Sequence, residues 1–153
     1  MKNPLRNESG QSVVELAIVM PLIVLIILAL VDFGRALNMY LAAEHAASDG
    51  ARLAAVDYVP ASGTLAQYLQ QNLISGELQT GSGTTAGAQG AAKVCISFPN
   101  GTNKRGDPIT VVFFDDYRWI PGGFIPGSAR IAGSATMRLE QDSSVGPARQ
   151  CYP

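Results

Sequence analysis

Apolar and polar positions divide the chain into one long apolar stretch near its start and alternating runs near its end. Residues 16–31 read LAIVMPLIVLIILALV and contain no charged side chain. At about 1.5 Å per helical residue, residues 13–31 cover roughly 28 Å, close to the thickness of a hydrocarbon core. The alternative of a buried helix in a soluble domain is disfavoured, because the remaining chain is too short and too polar to enclose it. The pattern predicts a transmembrane helix over 11–32.

The helix is predicted to continue beyond the membrane over 33–58. Residues 36–56 are rich in Ala and Leu and contain no Pro, which favours a helix. His45 lies among these alanines and is expected to face solvent. The face expected to pack on the following domain recurs at three- and four-residue intervals and consists of Leu37, Tyr40, Leu41, Ala47, Ala51 and Ala54.

The outward part of the chain, 59–153, combines a short helix with strands. Thr64 and Gln67 have the spacing of a capping box, which predicts a helix that Gly76 ends. Residues 80–92 read TGSGTTAGAQGAA and predict a mobile linker. Three alternating runs then predict a three-stranded antiparallel sheet: Val94, Ile96 and Phe98; Ile109, Val111 and Phe113; and Ile131, Gly133, Ala135, Met137 and Leu139. The predicted fold class is α+β, with the long helix covering the sheet.

Composition and charge exclude several functions. Eleven Lys and Arg against twelve Asp and Glu give a net charge of −1, so no nucleic-acid partner is expected. Two Cys and one His do not suffice for a multi-ligand zinc or iron–sulfur site. The sequence also contains no G-x-S-x-G or comparable nucleophile motif. We therefore expect no enzyme, metal or cofactor.

Two further pairs of residues in the outward part suggest local chemistry. Cys95 and Cys151 both lie on the side of the membrane where disulfides persist, so we hypothesise a bridge between them. Proximity does not follow from the sequence, and free thiols remain an alternative. Asp115 and Asp116 are adjacent in a predicted strand and should point to opposite faces. Surface charge, or pairing with Arg118, is favoured over a catalytic or calcium-binding role.

A small residue precedes the apolar stretch by a characteristic distance. Gly10 is followed five positions later by Glu15, inside the predicted span. This spacing resembles a prepilin processing site with cleavage between Gly10 and Gln11, which would remove a leader, 1–10, and leave the helix in the product. A conventional signal peptide is disfavoured, because the apolar run is interrupted by Glu15 and Pro21 and no A-x-A triplet occurs between Ala29 and Val56.

Glu15 and Pro21 are unusual residues for a transmembrane helix. An ionisable group within a span costs about 2.5–3.5 kcal/mol. Either the Glu15 carboxylate snorkels to the membrane surface, or it pairs with the α-amino group that cleavage would create on Gln11; we favour the pairing. Pro21 removes a backbone donor and predicts a kink or local unwinding. Basic residues before the span predict a cytoplasmic N-terminus, with the domain outside.

Four segments together resemble the TadE-like family, small pseudopilins of the tight adherence (Flp pilus) system. They are residues 11–17 with Pro21, residues 32–35, residues 47–52 and residues 135–140. The likeness is dense over 10–56 and loose over 93–140. It implies a pilin-like protein of the inner membrane that a prepilin peptidase matures. It further implies a minor role in assembling a type IVb pilus for adhesion or secretion, together with other Tad pilins and pseudopilins and the inner-membrane assembly platform.

A second interpretation is a single-span membrane-anchored binding protein or adhesin with an outward ligand-binding domain. In that case the spacing between Gly10 and Glu15 would be accidental. The mature N-terminus distinguishes the two, since only a processed pseudopilin would begin at Gln11.

Overall fold

The fold combines one long helix with a small antiparallel sheet. The computed structural model describes residues 9–61, 63–72, 92–119 and 127–152. The elements are α1 (Ser9–Ala55), α2 (Leu65–Asn72), β1 (Lys93–Ser97), β2 (Pro108–Arg118), β3 (Ser128–Arg138) and β4 (Gln150–Tyr152). The sheet has the order β3-β2-β1-β4, and all of its pairs are antiparallel. The predicted α+β class is therefore confirmed.

Within the described residues the sheet has four strands, where the sequence predicted three. The additional strand, β4, is only three residues long, too short to show an alternating pattern. It pairs with β1, where Cys151 lies opposite Cys95. The hypothesised bridge between Cys95 and Cys151 linked this segment to the first strand, but it did not predict that the segment pairs with that strand.

The hydrophobic core lies between the second half of α1 and the sheet. Small residues line the helix face toward the sheet, among them Ala43, Ala47 and Gly50. The closest approach is at Gly133 of β3, where an added Cβ would lie 2.3 Å from the carbonyl carbon of Ala43. The helix backbone therefore rests directly on the backbone of β3.

This close approach changes the predicted packing face of α1. Ala47, Ala51 and Ala54 are buried as expected, but Leu37, Tyr40 and Leu41 are exposed. The prediction for these three residues is wrong because the face with small side chains permits the closest contact with the sheet. His45 is exposed, as predicted.

A Schellman motif ends α1 three residues before the predicted end. The Tyr58 N–H donates to the Leu53 carbonyl at 3.0 Å, and the Asp57 N–H donates to the Ala54 carbonyl at 3.2 Å. Asp57 has a φ of 49° and takes the left-handed position that Gly usually occupies. The Ala55 carbonyl accepts from the Glu140 N–H at 2.9 Å, so the segment that follows β3 also fixes the helix terminus.

The capping box of α2 is confirmed. The Thr64 N–H donates to Gln67 Oε1 at 3.0 Å, and the Gln67 N–H donates to Thr64 Oγ1 at 3.3 Å. The predicted helix end at Gly76 lies outside the described residues, as do positions 80–91 of the predicted linker. Position 92, the last of that linker, is a buried alanine.

Candidate functional site

The first half of α1 makes no buried contact with the rest of the described chain. Between Gly10 and Val31 every described side chain is exposed except the half-buried Leu25. The most apolar window of the helix has none of its residues buried. A core helix of a soluble domain would be enclosed, so this exposed apolar helix indicates membrane anchoring.

The predicted processing residues lie in the first turn of α1. The helix begins at Ser9, so the peptide bond between Gly10 and Gln11 is already helical. An added Cβ at Gly10 would meet no atom within 4 Å. The Gln11 side-chain amide donates to Glu15 Oε1 at 3.1 Å. The structure thus brings Gln11 and Glu15 together in the uncleaved chain through the amide, because the α-nitrogen of Gln11 is part of a peptide bond.

Pro21 lies inside α1, which remains helical on both sides of it. A bend of α1 at Pro21 would therefore not interrupt the helix. The kink at Pro21 stays a prediction.

A strip of apolar residues continues along α1 beyond the predicted span. Phe33, Leu37, Tyr40 and Leu41 are 63%, 47%, 42% and 48% exposed, and their spacing places them on one helix face. We call these four residues the outer stripe. It points away from the sheet and continues the apolar surface of the first half of the helix. Next to it, the negative charge of Glu44 and a hydrogen bond to its carboxylate raise the pKa of Tyr40.

The exit of the predicted span is tied to the sheet by a buried hydrogen bond. The Tyr117 hydroxyl donates to Asp32 Oδ1 at 2.5 Å and lies 3.1 Å from the Asp32 carbonyl oxygen. Trp119 packs edge-on against Tyr117, with ring centroids 5.2 Å apart. Sequence reasoning placed Asp32 at the end of the span but missed Tyr117 as its partner. The only available signal was a carboxylate directly after a long apolar run.

The two adjacent aspartates of β2 have different environments. The Asp116 side chain is 42% exposed and pairs with Arg130, directly opposite on β3, at 3.0 Å. Its carboxylate raises the pKa of Arg130 through a hydrogen bond and through its charge. Asp115 is buried against the helix side of the sheet, and its Oδ1 accepts from the Asp116 N–H at 2.7 Å. The surface prediction therefore holds for Asp116 and is wrong for Asp115. The side chain of Arg118, the predicted partner, lies outside the described residues.

Cys95 and Cys151 are joined by a disulfide across β1 and β4. Cys95 is buried and Cys151 exposed, so the bond attaches an edge strand to the core. Within the described ranges, no group of three or more His, Cys, Asp or Glu side chains could hold a metal ion.

A shallow cleft lies at the end of the domain opposite Asp32. Tyr58, Leu65, Ile96 and Tyr152 are among its lining residues, and its volume is about 240 Å³. Small-molecule pockets usually have about 300–1,000 Å³. The cleft therefore gives little support to a dedicated ligand site.

Comparison with known families shows a similarity in the helical part of the chain. Residues 10–52 match the family model described as TadE-like protein. The match covers the apolar segment, the outer stripe and part of the face that packs on the sheet. It confirms the predicted resemblance over α1. The chain has no match among curated proteins or solved structures.

Proposed function

We propose that this chain, which is TadE-like over residues 10–52 and thereby associated with the Tad pilus, acts as a minor pseudopilin. In this role it supports assembly of a type IVb (Flp/Tad) pilus used in adhesion or secretion. The observation that carries the proposal is the 47-residue helix α1. The sheet covers one face of its second half and leaves the remaining apolar surface without contacts in the described chain.

The outer stripe supports an assembly role over simple anchoring. A membrane anchor needs apolar side chains only within the hydrocarbon core, and these end near Val31. Phe33, Leu37 and Leu41 extend the apolar surface by about two to three further helical turns. Exposed apolar surface contiguous with a span is typical of protein contacts. Other Tad pilins and pseudopilins, and the inner-membrane assembly platform, are the proposed partners.

Maturation by a prepilin peptidase between Gly10 and Gln11 completes the proposal. The bond lies in the first turn of α1, and helix ends fray readily, so the peptidase can reach it after local unwinding. Cleavage would replace the Gln11 peptide nitrogen with an α-amine close to Glu15. The pair would then offset part of the cost of a charge in the apolar layer.

The proposed location is the inner membrane, with a single span, a cytoplasmic N-terminus and the α+β domain outside. Lys2 and Arg6 precede the span, in agreement with the excess of basic residues on the cytoplasmic side. The disulfide at Cys95 fits an oxidising outer compartment. Before assembly, lipid surrounds the first half of α1.

Mass spectrometry of the mature protein tests the processing step. We expect the N-terminal peptide to begin at Gln11, and we expect Gly10→Leu to accumulate as full-length precursor. Gly34→Leu is the control, since an added Cβ there also meets nothing within 4 Å. Normal processing of Gly10→Leu would refute the proposed cleavage site.

Pilus counts test the assembly step. Leu41→Gln should lower surface pili while leaving membrane levels and cleavage unchanged, because it places an amide in the outer stripe. Val59→Gln introduces the same amide at an exposed apolar residue outside the stripe and should leave the number of pili unchanged. Glu15→Gln should be inserted and cleaved normally but should also lower pili, since the α-amine then has no carboxylate. Normal pili in both Leu41→Gln and Glu15→Gln would contradict the proposal.

A further inference from the structure

The direction of β2 along α1 fixes which end of the domain lies nearest the membrane. An added Cβ on Gly50 would lie 3.3 Å from Val111 and 3.4 Å from Phe113, whereas Tyr117 reaches Asp32. As the helix runs away from the span, β2 therefore runs back toward it. The end of β2 and the start of β3, which pair as Arg118 with Ser128, form the end of the sheet closest to the span.

The length of the apolar run sets the height of this end relative to lipid. Residues 13–31 span roughly 28 Å as a helix, about one hydrocarbon core. Asp32 then lies at the boundary between acyl chains and headgroups. The headgroup layer adds about 5–7 Å on each side of the core. The Tyr117 hydroxyl donates a hydrogen bond to Asp32 at this boundary, and the Trp119 ring centre lies 5.2 Å from that of Tyr117.

We propose that Trp119, which directly follows the end of β2, makes a lipid-headgroup contact that seats the outward domain on the bilayer. Tryptophan favours this layer, because the indole has an apolar body and one polar group. Tyr117 is buried and contributes by holding Trp119 at this height. The Trp119 side chain is only partly buried, so part of the indole is open to such a contact. The inference rests on the transmembrane assignment of the proposed function.

This contact gives the domain a defined orientation before assembly. A span joined to a domain by a flexible linker would let that domain tumble above the membrane. Here α1 continues into the core without interruption, and Tyr117 fixes the sheet to the helix at the boundary. Headgroup contact at Trp119 would add a second point of attachment and hold the outer stripe at a constant height, where a partner helix can meet it.

Trp119 is the chain's single tryptophan, so its fluorescence reports the position directly. The full chain is reconstituted in vesicles of phosphatidylcholine and phosphatidylglycerol whose acyl chains carry bromine either near the headgroup or near the bilayer centre. We expect the shallow bromine to remove most of the Trp119 emission and the deep bromine to remove little. Emission that is unaffected by either lipid, but is quenched by aqueous acrylamide as fully as free tryptophan, would overturn the inference.

A relocated tryptophan provides the matched control. Trp119→Phe combined with Tyr58→Trp places the indole beyond the far end of α1, about 34 Å of helix from Asp32. This variant should respond to acrylamide and not to brominated lipid. Equal lipid quenching of both proteins would also overturn the inference, because it would mean that the indole position does not matter.

Carbonate extraction of the same vesicles separates the two proposals. If the chain resists extraction but Trp119 is not quenched by lipid, the headgroup contact is wrong and the transmembrane assignment stands. If carbonate releases the chain, the transmembrane assignment fails and the headgroup contact fails with it.

Discussion

Gly133 determines how closely the sheet approaches the long helix. Its missing side chain admits the backbone of Ala43 and Glu44, each of which would lie 2.3 Å from an added Cβ. Backbone atoms cannot rotate away as the end of a flexible side chain can. The small residues of α1 therefore permit a close approach to the sheet only because a glycine faces them from β3.

Gly133→Ala should destabilise the domain. Overpacking typically costs about 1–3 kcal/mol, and we expect the upper part of that range because the neighbours are backbone atoms. Denaturant unfolding of the full chain in detergent, followed by Trp119 fluorescence, measures the change. Gly34→Ala is the control and should be neutral or stabilising by up to about 1 kcal/mol, since a helix prefers Ala. Equal denaturant midpoints for Gly133→Ala and the wild-type chain would show that the sheet can shift without a loss of stability.

Sequence patterns at this scale show which face of a strand points inward but not how close its partner comes. The alternation of β3 placed Gly133 on the inward face correctly. A similar pattern selected Leu37 and Leu41 for the helix face because apolar residues recur there at three- and four-residue intervals. The actual face was selected by the distance between two backbones, which depends on residues roughly ninety positions apart in this chain.

The junction between α1 and the loop after β3 is held by Asp57. Its Oδ1 accepts from the Ser144 N–H and the Ser144 hydroxyl, both at 2.8 Å, and from the Ser143 hydroxyl at 3.3 Å. The same residue has the positive φ that ends the helix. Asp57 therefore both accepts these hydrogen bonds and adopts the positive φ, whereas a glycine at this position could only do the second.

A series of substitutions at Asp57 separates these roles. Asp57→Ala should lose both the hydrogen bonds and the tolerance of positive φ, at a cost of about 2–4 kcal/mol in free energy of unfolding. Asp57→Gly should lose only the hydrogen bonds and fall between Ala and wild type. Asp57→Asn retains an acceptor oxygen and tolerates the conformation, so it should be the mildest. An Asp57→Gly protein as stable as wild type would mean that the bonds to Ser143 and Ser144 contribute nothing.

The edge strand β4 should depend on its disulfide. Three residues form too few ladder bonds to hold a strand alone, and the bond between Cys95 and Cys151 closes a long loop, with a sequence separation of 56. Cys151→Ala is expected to cost about 2–4 kcal/mol and to speed amide exchange of residues 150–152 selectively. β1, β2 and β3 should retain their protection. Thiol labelling that is identical with and without reductant would show that the bridge does not form in the protein.

The sequence predicted long elements better than short ones. The apolar run, the capping box at Thr64 and the three alternating strands all carry several residues of consistent pattern. β4 carries only a three-residue stretch, and the end of α1 depends on an aspartate in a place where glycine is usual. Both missed features are fixed by contacts with distant segments, which a local pattern does not contain.

At the scale of the whole molecule, α1 divides into two halves. Its first half is apolar and exposed, and its second half forms part of the α+β domain. Among the described residues, the buried side chains all lie between Asp32 and Ser143. The sequence could predict this division from the length of the apolar run. It could not predict that α1 contributes one wall of the core over most of its second half, because that depends on the match between its small face and β3.

A chain beginning at residue 32 should therefore fold without the membrane segment. All buried groups named for the core are retained, including Met39, Ala43 and Tyr117. We expect one cooperative thermal transition by circular dichroism and concentration-dependent self-association in sedimentation, because the outer stripe stays exposed to water. A chain beginning at residue 44 removes Met39 and Ala43 from the core and should show no cooperative transition. If the longer fragment also fails to unfold cooperatively at every concentration, the apolar half of α1 is needed for folding, and the division into anchor and domain is wrong.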